Sequence, residues 1–398
     1  MIRSLLATFV PPAAARTLKP APPGEDQAPA SPQVKRAPAG SPAKRGRRAR
    51  LRDWAELLRV SALFSVPGDA LAGAAATGLR PGRGTAYAVG ASLCLYEAGM
   101  ALNDWADRDE DAVERPQRPI PSGRITPAAA LTAAGLLTAA GLALAARAGR
   151  PALAVASALT AMVWAYDLRL KHTPAAPAAM ATARALDLVL GATATMSGPS
   201  RKTVGVAPFG RTAAGTAPSG RKAFATAPPA DRALPSRPAA GGPEAKSLMS
   251  RQGQGARQSG APGTALRVGA PALALAAHTY AVTAVSRHEA YGGSTLTPLA
   301  ALGATTTLGL LLARTHPTAG PLAALTAAAY VRTAALPCLH AALNPSAPLT
   351  QRAVGGGIRA MIPLQAALAA RSGARLTPVA VVGLVPMARA LARRVSPT

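Results

Sequence analysis

Residues 85–111 read TAYAVGASLCLYEAGMALNDWADRDED, an apolar run that ends abruptly in carboxylates. A membrane-spanning helix needs about 20 mostly apolar residues, and 85–103 comes close to that length. Six of the chain's seventeen Asp and Glu fall between 104 and 114, in a protein whose formal net charge is +27. If the apolar helix continues outward, Asp104, Asp107 and Asp111 share one face at i, i+3 and i+7. Like charges so spaced cost a helix roughly 0.2–0.5 kcal/mol per pair. A bound divalent cation reverses that sign, and Mg2+ is a hard ion held by a few carboxylates together with substrate phosphates. A solvated acidic loop is the competing reading. The regular spacing and the position at the end of a span weigh against it.

Basic residues follow at once, in Arg115-Pro116-Gln117-Arg118-Pro119-Ile120-Pro121-Ser122-Gly123-Arg124. Guanidinium groups grip phosphate oxygens in pairs, and the prolines stiffen the segment. Carboxylates, metal and guanidinium together suit a diphosphate better than a bare ion. Ordinary positive charge on an inner loop also accounts for arginines here; Arg118 is the one we single out.

Further outward, the sequence offers nine candidate spans at about 57–79, 85–103, 125–146, 151–167, 178–196, 268–286, 296–313, 319–338 and 354–370, with a weaker one at 376–393. Hydrophobic residues make up 49% of the chain and aromatics 3%, so a soluble core would lack large side chains. Charged residues are 15%, well below the roughly 25% of an average soluble domain. Arginine outnumbers lysine, and Ala, Gly and Pro are abundant, which reads as a GC-rich bacterial genome. The two cysteines, Cys94 and Cys338, lie far apart in apolar surroundings and read as small buried hydrophobes.

The chain divides into a basic Pro/Ala-rich tail expected to be disordered (1–50), a first membrane part (51–196), a low-complexity insert expected to be disordered (197–265), and a second membrane part (266–395). The tail and the insert are each basic and lack the interleaved aromatics of a nucleic-acid groove, so no nucleic-acid partner is expected. The opening Met1–Val10 is too short to span and has no clear cleavage site after it, which argues against a signal peptide. The basic run 44–52 before the first span argues for a cytoplasmic N-terminus. Alternation then puts the loops 104–124, 168–177 and 287–295 on the cytoplasmic side of a multi-pass cell-membrane protein.

The pattern Asn103, Asp104, Asp107, Asp111, followed by Arg118-Pro119-Ile120-Pro121-Ser122-Gly123, resembles the first aspartate-rich motif of the UbiA superfamily of membrane prenyltransferases. Tyr166-Asp167-Leu168-Arg169-Leu170-Lys171 is similar to the Y-x-x-x-K segment of that family's second cytoplasmic loop. The resemblance implies an all-α bundle of about nine transmembrane helices around a central cavity. It also implies Mg2+ as cofactor, a prenyl diphosphate and a small acceptor as substrates, and a lipid bilayer as surroundings. It assigns Asp104, Asp107, Asp111 and Arg118 to catalysis, the three aspartates also to metal and Arg118 to the diphosphate, and Asn103, Arg115, Tyr166 and Lys171 to substrate binding. Oligomeric state is left open.

The family's second D-x-x-x-D motif is absent. The corresponding loop reads Ser286-Arg287-His288-Glu289-Ala290-Tyr291-Gly292-Gly293-Ser294, where Glu289 could bind metal and Arg287 the diphosphate. That wording resembles a divergent branch, the prenyltransferases encoded with Ebo-type gene clusters; a capped loop end is the simpler reading. Two acids sit within spans, where a carboxylate needs a partner or a cavity. Asp187 can pair with Arg184 at i, i+3. Asp69 has no local partner and is expected to face the cavity as a substrate contact. His278, His316 and His340 lack ligand spacing and read as structural. Two alternatives stay open: an ion-coupled transporter and a non-catalytic prenyl-lipid-binding relative.

Overall fold

A computed structural model describes residues 42–197, 261–290, 292–314 and 320–395. Most of the expected tail and insert, and His316, lie outside these residues. Residues Arg47–Thr398 form one compact unit.

Every regular element among the described residues is helical. Helix α1 (Pro42–Leu57) leads through a 3₁₀ turn (Val60–Ser65) into α2 (Val66–Ala76), α3 (Arg83–Ala106) and the short α4 (Arg108–Glu114). Then come α5 (Pro127–Ala148) and α6 (Arg150–Ala165), which runs into a π turn (Tyr166–Leu170), and α7 (Ala176–Ser197). The second part contains α8 (Ala261–Ser286), α9 (Leu296–Ala313), α10 (Pro321–Leu343), α11 (Ala347–Arg371) and α12 (Leu376–Val395). Proline starts several of these helices, where its missing N–H costs nothing. Pro127 opens α5 behind Thr126, whose hydroxyl accepts from the Ala129 N–H at 3.2 Å.

Among the described residues, six helices are long and apolar enough to cross a membrane: α5, α6 with its π turn, α8 from Leu266, α9, α10 and α11. That is fewer than the nine expected. Helices α3 and α7 have the length, but Glu97 and Asp104 interrupt the first, and Arg184 and Asp187 the second. The expected span 57–79 is broken. Arg59 adopts left-handed φ 48°, ψ 45°, a conformation that costs a non-glycine residue roughly 1–2 kcal/mol. After it α2 is only 11 residues long.

Small residues set the packing. Helix α2 crosses α7 so closely that a Cβ on Gly73 would land on the Leu188 carbonyl, and one on Gly191 on the Ala70 backbone. Such close approach is how membrane helices gain dispersion contacts without a hydrophobic drive between them. One core, around Leu188, Leu275, Tyr330 and Leu364, joins α2, α7, α8, α10 and α11. A second, around Leu95, Leu159 and Leu190, joins α3, α5, α6 and α7. The functional residues lie between α2, α3, α6 and α7. Cys94 and Cys338 are both unpaired thiols.

Candidate active site

The acidic cluster forms where α3 hands over to α4. Helical bonds continue across the junction, from the Asp107 N–H to the Asn103 carbonyl at 2.9 Å and from the Asp111 N–H to the Asp107 carbonyl at 2.8 Å. The three aspartates do not share one partner. Asp104 and Asp111 converge on Arg118, whose Nη1 lies 3.5 Å from Asp104 Oδ1 and 2.6 Å from Asp111 Oδ2. Arg115 adds a contact of 3.5 Å to Asp111. Asp107 instead pairs with Lys171. Asp104 and Asp111 are buried, so these cations offset much of their desolvation cost.

Lys171 reaches Asp107 from the π turn. Its N–H donates to the Tyr166 carbonyl at 3.0 Å, a bond five residues long that widens the helix by one residue. Such widened turns recur at functional sites. Here the turn buries Asp167, which accepts from Asn103 Nδ2 at 3.3 Å. Arg59 closes the group, with Nη2 at 3.0 Å from Asp104 Oδ1 and 3.5 Å from Asn103 Oδ1. Arg59 and Asp167 were not among the residues singled out from sequence. Asp167 carried a usable signal, since it ends an apolar span as Asp104 does. Arg59 carried none, because an arginine at the start of a span reads as ordinary boundary charge.

A cavity of about 230 Å³ opens beside this group. Arg59, Asn103, Tyr166 and Asp167 line it near the acids, and Leu95, Gly99, Met100 and Val163 line its apolar stretch. Ser92, Arg184 and Asp187 also line it. Asp69 does not line it, contrary to the expectation of a substrate contact. Its fully buried carboxylate pairs with Arg184 and accepts from Gln365 Nε2 at 2.7 Å. Arg184 thus spends its ion pair across the α2–α7 crossing, and Asp187 accepts from the Ser92 hydroxyl instead. The expected i, i+3 pair gives way because the close crossing brings Asp69 nearer in space than sequence spacing can show.

The second loop approaches the first motif. Arg287 donates to the Thr173 carbonyl at 3.2 Å, just beyond Lys171. Burial pushes the Glu289 carboxyl above its ordinary value, and the nearby Arg115 guanidinium pulls it partly back. Glu289 and the cluster therefore share Arg115. His278 is buried between the Tyr330 hydroxyl and the Gly357 carbonyl, each at 3.0 Å, which fits its structural reading.

The donor set tests whether a metal fits. Asp104, Asp107 and Asp111 offer hard oxygen atoms of the kind that Mg2+ takes, though the three are not brought into one group of mutually close ligand atoms. Asp107, Glu110 and His172 place ligand atoms within 4.8 Å of one another, with Glu110 and His172 exposed. The oxygens fit Mg2+; the imidazole of His172 is not a ligand that Mg2+ prefers.

Residues 62–213 match the model of the UbiA prenyltransferase family. This part of the chain is therefore similar to the UbiA family. The digeranylgeranylglyceryl phosphate synthase of Methanopyrus kandleri is 39% identical over 129 residues, 31% of this chain and 46% of that protein. The protein of the same name from Natronomonas pharaonis is 42% identical over 79 residues, 20% of this chain and 28% of that one. The chain thus spans less than half the length of these relatives. A UbiA homolog from Aeropyrum pernix K1, solved without ligand, shares the fold at a TM-score of 0.50 and 14% identity, covering 77% of this chain and 96% of that one.

Proposed function

We propose that this UbiA-type chain is an integral-membrane prenyltransferase. It takes a prenyl diphosphate as donor and transfers the prenyl group to a small acceptor alcohol. The name shared by the two archaeal relatives supports an acceptor of the glyceryl phosphate class. The supporting observation is the meeting of Asp104 and Asp111 on Arg118 beside an apolar cavity. No ordinary helix end calls for three guanidinium groups, an ammonium and four carboxylates in such close contact.

In this reading, Asp104, Asp107 and Asp111 hold Mg2+, joined by Glu289 from the second loop. The balance of charge supports a metal. Arg59, Arg115, Arg118 and Lys171 already face Asp104, Asp107, Asp111 and Asp167 in equal number. An incoming diphosphate therefore adds negative charge that the side chains alone do not cancel. When bound, Mg2+ supplies that charge and eases departure of the diphosphate.

The chain's own residues do the rest. Arg118 and Arg115 turn from the aspartates toward the diphosphate oxygens, and Lys171 adds a point charge. Asn103 fixes Asp167 at the cavity wall. The apolar stretch keeps water from the allylic carbon as the diphosphate leaves, so the acceptor oxygen captures it instead.

Purified protein in detergent or nanodiscs should release diphosphate from a prenyl diphosphate only when Mg2+ and the acceptor are present. Asp107→Ala should lower that rate at least 100-fold. Wild-type turnover in Asp107→Ala would sink the site assignment. Tight, Mg2+-dependent donor binding with no release would instead identify a non-catalytic prenyl-lipid binder.

A further inference from the structure

The cavity has an unexpected floor for an isoprenoid site. On α3 its wall runs from Asn103 back to Ser92, and on α7 from Met180 on to Asp187. Ser92 and Asp187 are the lining residues farthest from the acidic cluster along their helices, and they are hydrogen-bonded to each other. The bond therefore joins the α3 and α7 walls at the end remote from the diphosphate group. Both residues are buried. Arg184, on the α7 wall one turn nearer the acidic cluster, is tied to Asp69, and Asp69 to Gln365, whose Nε2 also donates to the Ser65 carbonyl at 2.7 Å. Asp187 also shares a side-chain hydrogen bond with Asp69, so the floor is part of a polar network fixed on α2, α3, α7 and α11.

We propose that the Ser92–Asp187 bridge is a chain-length stop, which selects prenyl diphosphates short enough to end above it. The inference rests on the prenyltransferase reading and adds the class of donor. Eleven residues separate Ser92 from Asn103, so with a helical rise of about 1.5 Å per residue the floor lies about 16 Å below the site, room for about three isoprene units. A longer tail would press methylenes against a buried carboxylate and guanidinium. That contact returns no hydrogen bond to offset the disturbed polar network. Chains of two or three isoprene units seat fully, and a chain of four does not.

The charges make a clean test possible. Removing the Asp187 carboxylate leaves Asp69 and Arg184 as a matched pair. Asp187→Ala should therefore keep the α2–α7 crossing while opening the floor. The readout is the ratio of kcat/KM for geranylgeranyl diphosphate to that for geranyl diphosphate, which does not depend on the fraction of protein that folds. The wild type should favour the shorter donor, which would set this chain apart from the relatives whose name carries geranylgeranyl groups. Asp187→Ala should raise the ratio about tenfold, and Ser92→Ala should raise it by a smaller factor. Asp187→Asn keeps an oxygen for the Ser92 hydroxyl and should leave the ratio near the wild-type value. An unchanged ratio in both alanine variants overturns the stop and leaves the bridge as a brace. So does a wild type that prefers the longer donor. A wild type that releases diphosphate from neither donor overturns the transferase reading itself, a result distinguishable from the other two.

Discussion

Arg118 is the residue on which the site turns. One guanidinium nitrogen serves two buried carboxylates that stand seven residues apart. A lysine at this position would keep the charge but present a single point where arginine presents a planar fork. Charge-assisted hydrogen bonds are worth roughly 1.5–3 kcal/mol each. Arg118→Lys should therefore reduce kcat/KM for the donor about 10- to 100-fold, with Mg2+ dependence retained. Steady-state diphosphate release across a donor titration checks this. An unchanged kcat/KM would mean that Arg118 only shields the aspartates. That Asp104, Asp107, Asp111 and Arg118 belong to one candidate cluster was legible from sequence, because clustered acids in a strongly basic chain have few ordinary explanations. Their partition was not. Helical spacing predicts a shared face, but whether Asp107 answers to Arg118 or Lys171 depends on where the π turn after α6 delivers its lysine.

At the scale of elements, the α2–α7 crossing carries more than packing. The glycines that let the backbones touch, Gly73 and Gly191, flank the buried pair Asp69–Arg184. Without that approach, each charge would sit in a low-dielectric interior without its partner. Gly191→Val forces the helices apart at Ala70 and should destabilise the protein by about 1–3 kcal/mol through overpacking alone. Loosening the ion pair adds to that. Thermal unfolding in detergent should show a clear drop in midpoint, while Gly135→Val should not, since Gly135 has open space where its Cβ would stand. Equal stability of the two variants would remove the crossing from the account. The positions of six of the nine expected spans were readable in advance from the apolar runs. The break at Arg59 and the swap of partners at Asp187 were not, since both depend on which helix lies across the gap.

For the whole molecule, net charge and architecture are separable. Of the +27 total, much lies in the stretches 1–50 and 197–265, which are rich in Pro, Ala, Gly and Arg and poor in aromatics. Every residue assigned to the site, by contrast, falls between Arg59 and Glu289 and outside both stretches. The residues on either side of the second stretch, Ser197 and Ala261, end and begin helices that pack against each other. Catalysis should therefore not need residues 199–259. Replacing them with a Gly/Ser linker of about 15 residues costs little closure entropy, since each doubling of loop length changes it by only about 0.6 kcal/mol. The shortened protein should keep its Mg2+-dependent diphosphate release within about twofold. Its affinity for anionic lipid vesicles should fall, since it loses most of the basic residues between α7 and α8. Loss of turnover with donor binding intact would show that the stretch contributes to the chemistry, and would move part of the active site outside the helices that now account for it.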